Sequence, residues 1–378
     1  MQTSTGSEAK PVPVVATEIH RLCQPLKEPY HLAFGTFDAF DTFLVGIRTE
    51  DGQSAWGEAT ACTGYVPETG NDIWSFLCTH APELIGSTPA EQVARLLPFT
   101  AHQPFAVAPL LGALERLCAE PENGPGPGVG EEAVVPLVGI LSGNEEASLE
   151  HSFWTQIERG HTTVKLKVGF DLEGDLRRAA FVQELARQAP GVKIRVDANQ
   201  GYSLDDARRF VRGLSPEVVE LFEQPFDVGD WESQRALAPS SPVPLMLDES
   251  ILGTRDIERA ARLGCADYVK FKLMKAGSAR RLSELIALAR RLGLKVILGN
   301  GVAGEIGCYH EAVASLEAGL ETAGEMNGFL KVRRSVLTEP IKTKAGGVVV
   351  AAALDPAPSP ERLSEIAVER REWTQTTC

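Results

Sequence analysis

Seven polar residues recur at intervals of 24 to 30 positions in the second half of the chain: Lys167, Asp197, Glu223, Asp248, Lys272, Asn300 and Glu325. Three consecutive members of this series are acids. Three carboxylates brought together would repel one another unless a cation lay between them. Hard oxygen ligands favour Mg²⁺, or Mn²⁺ in its place, over zinc. The spacing therefore predicts a divalent metal site built from Asp197, Glu223 and Asp248.

Two apolar runs each contain a pair of lysines one residue apart, Lys165 with Lys167 and Lys270 with Lys272. Alternate side chains of a strand point to the same face, so each pair would share a face. A lysine with its ordinary pKa of about 10.4 is a poor base, but a second ammonium group nearby lowers that pKa. We expect Lys165 to tune Lys167 in this way. Such a lysine could remove the proton next to a metal-held carboxylate, and the metal would stabilise the enediolate.

The segments that carry these residues are apolar and alternate with helical patterns such as RDIERAARL. They cover residues 134–141, 162–169, 193–199, 218–225, 244–250, 267–273, 295–300 and 321–328. Eight strand–helix units at a short, regular period predict a parallel (β/α) barrel. Catalytic groups of such barrels come from the C-terminal ends of different strands, so the seven residues are expected around one rim.

The first third of the chain has another pattern. Strands are predicted between Thr17 and about Gly57, with a loop over 28–40 and a hairpin turn at 50–52, followed by helices near 73–84, 89–97 and 106–119. A Pro/Gly-rich run, 121–132, predicts a loop or domain boundary. We expect an α+β domain over 1–132, a barrel over 133–340, and a C-terminal segment, 341–378, whose strand pair and tail return to the first domain.

Composition argues against several kinds of function. The 378 residues have a formal charge of −14, whereas nucleic-acid and anionic-membrane surfaces need a positive field. The seven cysteines show no CxxC spacing and are expected to be reduced thiols in a cytoplasm. No window approaches the roughly 18 apolar residues of a membrane span. Because the net charge of the chain is negative, a small anionic ligand would need a local positive patch.

Five motifs in this order resemble those of the enolase superfamily, in its muconate-lactonizing-enzyme-like subgroup, the mandelate racemase/muconate lactonizing enzyme family. They are Lys165-Leu166-Lys167, Asp197-Ala198-Asn199, Glu223-Gln224-Pro225, Asp248-Glu249-Ser250 and the Lys272 of FKLMKAG. The resemblance implies an α/β fold: a modified (β/α)8-type TIM barrel, (β/α)7β, with an α+β N-terminal capping domain completed by the C-terminal tail. It implies Mg²⁺ on Asp197, Glu223 and Asp248, and acid/base roles for Lys167 and Lys272 on opposite faces of the substrate.

The same resemblance gives roles to Glu325 and to two loops of the capping domain. Glu325 resembles the strand-eight glutamate of the cycloisomerases, and capping-domain loops around 30–36 and 60–67 would close over the substrate. Predicted substrate contacts are Tyr30, Phe34, Asn300 and Lys275, and Asn199 and Glu325 are predicted to support the lysines.

Local roles are the alternatives for several of these residues. Asn199 and Asn300 could be turn formers at strand ends, and Glu325 could cap the following helix. Lys275 could lie on a loop surface. His310 is expected to be a core or surface histidine without a catalytic role.

Together these observations predict an isomerase that takes the proton α to a carboxylate and returns one: a racemase, an epimerase or a muconate-type cycloisomerase. A dehydratase or other lyase is the first alternative, because the same intermediate can expel a β leaving group. A barrel aldolase would use Lys167 or Lys272 in a Schiff base, and a non-catalytic barrel would serve as a binding or scaffold protein. Both leave the three acids or the paired lysines unexplained. We expect a small carboxylate substrate, no nucleic-acid or membrane partner, a homo-oligomer and a cytoplasmic location.

Overall fold

The computed structural model describes residues 12–32, 35–62, 66–119, 132–351 and 355–375. Its strands are β1 (Val14–Leu32), β2 (Gly35–Thr49), β3 (Ser54–Thr60), β4 (Glu132–Pro136), β5 (Gly139–Ile140), β6 (Thr163–Lys167), β7 (Lys193–Asp197), β8 (Val219–Glu223), β9 (Leu245–Leu247), β10 (Tyr268–Phe271), β11 (Lys295–Leu298), β12 (Thr343–Lys344), β13 (Gly347–Ala351) and β14 (Ala367–Thr374). Its α-helices are α1 (Gly70–His80), α2 (Pro89–Leu96), α3 (Pro104–Cys118), α4 (Glu146–Glu158), α5 (Leu172–Gln188), α6 (Leu204–Val211), α7 (Trp231–Leu237), α8 (Thr254–Leu263), α9 (Leu273–Ala276), α10 (Ala279–Arg291), α11 (Glu305–Glu317) and α12 (Pro360–Ile366).

An antiparallel sheet in the order β14-β1-β2-β3 forms the N-terminal domain, so the C-terminal tail completes this domain as predicted. Helices α1 to α3 pack on the sheet around one apolar core. Thr69 and Thr88 begin α1 and α2 with capping boxes, in which side chain and main chain at the helix start satisfy each other's hydrogen bonds. The three predicted helices are confirmed, and we call this unit the capping domain.

The predicted loop over residues 28–40 was too long. Strand β1 continues to Leu32 and β2 begins at Gly35, and Tyr30 pairs with Phe37 across the hairpin. The pairing register shifts between Pro25 and Tyr30, which is where proline removes a donor from the ladder. Tyr30 therefore lies on a strand, whereas Phe34 lies outside the described residues.

Seven parallel strands, β5 to β11, follow one another in chain order around the barrel. The predicted eighth strand is much reduced. Gly324 N donates to Pro136 O at 2.8 Å and Glu325 N donates to Leu298 O at 3.0 Å, so this segment joins the first barrel strand region to β11. Below the rim the interior is filled by Leu221, Met246, Tyr268 and Ile297, one from each of β8 to β11.

The first predicted barrel strand, 134–141, was wrong as a single element. It splits into β4, which pairs antiparallel with β13, and β5, which joins the barrel. The predicted C-terminal strand pair is present as β12 and β13, but it lies on β4 rather than on the capping domain. The division of the chain at residues 132 and 340 stays a prediction. Within the described ranges, none of the helices combines the length and the apolar character needed to cross a membrane.

The capping domain is joined to the barrel by the buried carboxyl group of Glu58, near the end of β3. Its oxygens accept hydrogen bonds from the main-chain N–H groups of Gly304 (2.5 Å), Ile306 (3.0 Å) and Gly307 (3.1 Å). These groups lie at the start of α11, where a helix has unpaired N–H groups. A Cβ atom at Gly304 or Gly307 would crowd the carboxyl group, so the glycines make room for it.

Glu58 should make stability depend on pH. Burial raises its pKa from 4.5 to about 7, and the nearby Glu305 contributes to this rise. The three N–H groups lower the pKa, but their effect is smaller. The folded state therefore binds the proton more tightly than the unfolded state. The resulting stabilisation is fully present below the unfolded-state pKa and is lost as the pH rises through about 7. Between about pH 5 and pH 8, the free energy of unfolding measured in urea should fall more for wild type than for Glu58→Gln. Parallel pH profiles of the two proteins would contradict this expectation.

Candidate active site

A pocket lies at the C-terminal ends of the barrel strands and beneath the capping domain. Nine of the predicted site residues line it: Tyr30, Lys165, Lys167, Asp197, Asn199, Asp248, Lys272, Asn300 and Glu325. Glu223 and Lys275 lie behind the pocket wall, and Phe34 falls outside the described residues. The barrel and the capping domain thus bring together side chains that are up to 295 positions apart in the chain, from 30 to 325.

Two buried ammonium groups lie among the carboxylates at the centre of the rim. Lys165 Nζ is 2.7 Å from Asp197 Oδ2, 2.7 Å from Glu223 Oε2 and 2.8 Å from Glu325 Oε2. Burial lowers the pKa of Lys165, but these three carboxylates outweigh burial and raise it well above the ordinary value. Lys165 is therefore a permanent cation of the site.

Lys270 is the second central cation. Its Nζ lies 3.0 Å from Glu223 Oε1 and 3.7 Å from Asp248 Oδ2, and it also donates to Glu325 Oε2. Burial opposes its charge, yet Glu223 and Glu325 raise its pKa. Glu325 accepts from both central lysines, and their charges hold its pKa well below the ordinary value although burial acts to raise it. Glu325 is thus an ion-pair partner at the barrel centre and not a helix cap.

Lys167 and Lys272 occupy a different position, at the pocket surface. Their side chains are 21% and 12% exposed, whereas that of Lys165 is 1% exposed. Lys167 Nζ donates to Asp197 Oδ2 at 2.6 Å and to Asn199 Oδ1, and Lys272 Nζ donates to Asp248 Oδ2 at 3.0 Å. Lys167 is the last residue of the second barrel strand, β6, and Lys272 directly follows the sixth, β10. These two strands lie across the barrel from each other.

The predicted tuning of Lys167 by Lys165 was wrong in its net effect. Burial and the charge of Lys165 both lower the pKa of Lys167, but the Asp197 carboxylate raises it, and the resulting pKa lies above the ordinary value. The reason is geometric, because both ammonium groups share Asp197 Oδ2 at 2.6 to 2.7 Å. The lysine pair is therefore separated by a carboxylate that neutralises its repulsion.

The three predicted metal ligands lie at the C-terminal ends of neighbouring strands. Asp197 and Glu223 are paired in the register of β7 and β8, and Asp248 lies one residue after β9. Across the ranges that the structure describes, no three His, Cys, Asp or Glu side chains already form a metal-holding group, because the ammonium groups of Lys165 and Lys270 lie between the carboxylates.

The donor chemistry of this cluster nevertheless fits a hard divalent cation. The predicted ligands are all carboxylates, and the buried Oε2 atom of the adjoining Glu249 has no hydrogen-bond partner among the described residues. Burial and the neighbouring Asp248 raise the pKa of Glu249 to about 7. An oxygen of this kind would be satisfied by a cation or its bound water, so Asp197, Glu223 and Asp248, with Glu249 beside them, are the residues that would hold Mg²⁺.

Backbone strain is concentrated at the ends of two of these strands. Asn199 (φ 40°), Gln200 (φ 72°) and Gln224 (φ 37°) have positive φ, which is uncommon outside glycine and which clusters at functional sites. Asn199 is a turn residue in this sense, but its side chain also connects the site. It accepts from Lys167 and donates to Glu249 Oε1 at 3.0 Å.

The remaining predicted contacts have mixed outcomes. Asn300 lines the pocket, but its Oδ1 accepts the N–H of Val302 at 3.1 Å, which is the turn role given as the alternative. Lys275 is buried and donates to the main-chain oxygen of Asp248 at 2.9 Å, so the loop-surface alternative is wrong. His310 is buried in α11, and burial lowers its pKa to about 3, as expected for a neutral core histidine.

Three charged site residues were missed or underrated by the sequence interpretation. Lys270 was placed on the face of Lys272 by strand alternation but received no role, although this alternation was the signal that could have found it. Glu249 follows Asp248 directly. Lys331 lies 4.7 Å above the ring centre of Tyr30 and donates to Gly301 O at 2.9 Å. No sequence pattern marks Lys331, because it lies in an irregular turn.

Comparison with known proteins identifies the relatives of this chain. A family model described as "Enolase C-terminal domain-like" matches residues 151–354, more than half of the chain, including every predicted metal ligand and both pocket lysines. The N-succinyl-L-Arg/Lys racemase of Bacillus cereus is 25% identical over 333 residues, 85% of this chain and 89% of the racemase. The hydrophobic dipeptide epimerase of Roseobacter litoralis is 30% identical over 316 residues, 80% of this chain and 85% of the epimerase.

Solved structures have the same fold. Muconate lactonizing enzyme from Pseudomonas fluorescens, complexed with muconolactone, is 26% identical, with 94% of this chain and 99% of that chain covered at a TM-score of 0.82. The dipeptide epimerase of Cytophaga hutchinsonii, complexed with Mg and D-Ala-L-Val, is 21% identical, with 95% and 99% covered at a TM-score of 0.84. The predicted TIM barrel with a capping domain is thereby confirmed.

The central ion pairs should behave as a coupled unit. We expect Lys270→Met to lower the free energy of unfolding by about 3–5 kcal/mol, because it removes one of the two buried cations that compensate Glu223 and Glu325. Adding Glu325→Gln to this variant should recover part of the loss, since it removes one of the negative charges left in excess. Urea unfolding of the single and double variants measures this coupling, with Lys193→Met, at the exposed start of β7, as the control. Strictly additive effects of the two substitutions would contradict the network.

Proposed function

Because the chain belongs to the enolase superfamily, whose members among its relatives are racemases, epimerases and cycloisomerases, we propose that it is a Mg²⁺-dependent racemase or epimerase of a small carboxylate substrate. One observation carries this proposal. Lys167 and Lys272 both reach the pocket, from opposite sides of the barrel, and each lies beside a different proposed metal ligand. Two amines placed in this way suit removal of a proton from one face of a carbon and its return to the other.

The charges of the site support an anionic substrate. The site and its immediate surroundings contain five carboxyl groups, Asp197, Glu223, Asp248, Glu249 and Glu325, and six lysines, Lys165, Lys167, Lys270, Lys272, Lys275 and Lys331. With all eleven ionised, the protein part of the site carries one net positive charge. A bound divalent cation would supply net positive charge beside the substrate carboxylate and favour the negative charge that develops during proton removal.

The protein's own groups would divide the proton transfer between them. In one direction neutral Lys167 takes the α-proton onto Nζ while the Lys272 ammonium gives a proton to the opposite face, and the reverse direction exchanges these roles. Lys167 must first lose its own proton. The Asp197 carboxylate raises the pKa of Lys167. A cation held by Asp197 would share the charge of this carboxylate and would thereby lower the pKa of Lys167. Lys165 and Lys270 keep their charges and hold the carboxylates in place.

The pocket wall and the relatives suggest the class of substrate. Cys62, Met274 and Val302 give the pocket an apolar side next to the lysines. The relatives are named for N-succinyl amino acids and for hydrophobic dipeptides, which carry an acylated amine beside an acidic carbon. We therefore propose an N-acyl amino acid or a dipeptide with an apolar side chain. Replacement of Mg²⁺ by Mn²⁺, a homo-oligomeric state and a cytoplasmic location stay predictions.

Exchange of the α-proton in D2O separates the roles of the two lysines. For wild type incubated with N-succinyl amino acids and apolar dipeptides of both α-configurations, proton NMR should show exchange from both. Lys167→Ala should abolish exchange from one configuration and Lys272→Ala from the other, each by about 100-fold or more, because each face has one base. Lys193→Ala, a lysine at the far end of the barrel, is the matched control.

The alternatives give different results in the same experiment. Loss of exchange from both configurations in each lysine variant would contradict the two-base mechanism. A new product that has lost a β-substituent would identify a lyase, and inactivation by borohydride in the presence of substrate would identify a Schiff base.

Calorimetric titration tests the metal site. We expect wild type to bind Mg²⁺ at a single site, and Asp197→Asn, Glu223→Gln and Asp248→Asn each to weaken binding by about 10-fold or more, because each removes a charged ligand. Glu217→Gln, at an exposed position before β8, should bind Mg²⁺ as wild type does. Absence of Mg²⁺ binding to wild type, or unchanged binding in all three ligand variants, would contradict the proposal.

A further inference from the structure

Glu311 is a fully buried acid of α11. Its Oε2 accepts the main-chain N–H of Leu273 at 3.3 Å, while its Oε1 has no hydrogen-bond partner among the described residues. Leu273 directly follows Lys272. A carboxyl group from one helix thus reaches the main chain beside one of the two pocket lysines.

This contact replaces a local cap that the sequence does not provide. Lys272 is the N-cap of the short helix α9, and its side chain makes no capping hydrogen bond. The first N–H groups of a helix lack partners within the helix, so Leu273 needs an acceptor from elsewhere. The carbonyl of Lys272 is fixed as well, since it accepts from Lys275 N at 3.0 Å and Ala276 N at 3.1 Å. With Glu311 as the acceptor, hydrogen bonds hold both the carbonyl of Lys272 and the N–H group of Leu273 that follows it.

Asp175 of α5 has the corresponding position at the other lysine. It is fully buried, and its Oδ2 accepts the N–H groups of Gly169 at 2.8 Å and Phe170 at 3.1 Å, just after Lys167. The hydroxyl of Tyr202 donates to the same oxygen at 2.7 Å. Each pocket lysine is thus followed by a main-chain segment that a buried acid from a surrounding helix holds in place.

We propose that Glu311 and Asp175 are positioning residues, Glu311 for Lys272 and Asp175 for Lys167, so that each buried acid controls proton transfer at one face of the substrate. The inference rests on the proposed two-base function. A base must be held close to its productive geometry, and a displacement of about 1 Å can cost about 100-fold in rate. A purely structural role would instead slow both faces together.

Burial raises the pKa of Glu311 to about 8, although the Leu273 N–H and the charge of Lys272 lower it. A neutral carboxyl group still offers a carbonyl oxygen to Leu273. Glutamine offers the same acceptor at nearly the same size, whereas methionine fills the space without one. Glu311→Gln and Glu311→Met therefore form a matched pair that differs in this hydrogen bond.

The experiment follows α-proton exchange in D2O from both configurations of the N-succinyl amino acid or dipeptide that wild type exchanges fastest, at saturating Mg²⁺. The Lys167→Ala and Lys272→Ala enzymes first assign each configuration to a lysine. Glu311→Met should then slow exchange at the Lys272 face by about 10- to 100-fold and leave the Lys167 face within about threefold of wild type. Asp175→Ala should show the opposite selectivity, and Glu311→Gln should retain both rates.

Leu273→Pro tests the same hydrogen bond from the donor side, should Glu311→Met fail to fold. Proline is tolerated at the first position of a helix, and the extended backbone of Lys272 (φ −129°, ψ 133°) is compatible with a following proline. It should also slow the Lys272 face selectively.

Equal slowing of both faces by Glu311→Met or by Leu273→Pro would overturn the inference, as would a Glu311→Gln enzyme as impaired as Glu311→Met. If the two lysine variants show no preference for either face, the proposed function fails, and the positioning roles fail with it.

Discussion

The compensation of buried charge at the centre of the barrel is the constraint on which the rest of the site depends. Lys165 and Lys270 each contact at least three carboxylates at positions that are almost completely buried. Neither the acids nor the lysines could be buried alone, because an unpaired charge in this environment costs several kcal/mol. Only strand ends that meet at one rim bring these partners together, so the barrel topology and the charge network require each other.

This arrangement also explains why the four lysines of the two strands differ in role. Alternation along a strand puts both members of each pair on the inner face, and their depth then separates them. The deeper lysines, Lys165 and Lys270, are surrounded by carboxylates and remain charged. Lys167 and Lys272 lie two residues further along their chain segments, nearer the mouth of the pocket. There each has one principal carboxylate partner and access to a ligand. The structural cations thus leave the outer lysines available for chemistry.

Much of this architecture could be predicted from the periodicity of the strand segments in the sequence. This periodicity predicted the parallel strands that bear Lys167, Asp197 and Glu223, and it predicted that the two lysines of each pair share a face. It did not predict the split of the first barrel strand, because hydrogen-bond partners and not residue types decide where β4 leaves the barrel. The raised pKa of Lys167 depends on a 2.6 Å contact that spacing cannot supply. Glu58 and Glu311 act on main-chain groups far away in sequence, and no local pattern marks such contacts.

The central claim is that the carboxylates at the C-terminal ends of β7, β8 and β9 share one divalent cation between the two pocket lysines. The most direct measurement is anomalous diffraction from crystals of the protein soaked with Mn²⁺. The account predicts one strong anomalous peak at about 2.2 Å from an oxygen of each of Asp197, Glu223 and Asp248, with Lys167 and Lys272 on either side. A peak bound to other residues, or no peak at this rim while the carboxylates contact only Lys165 and Lys270, would contradict it.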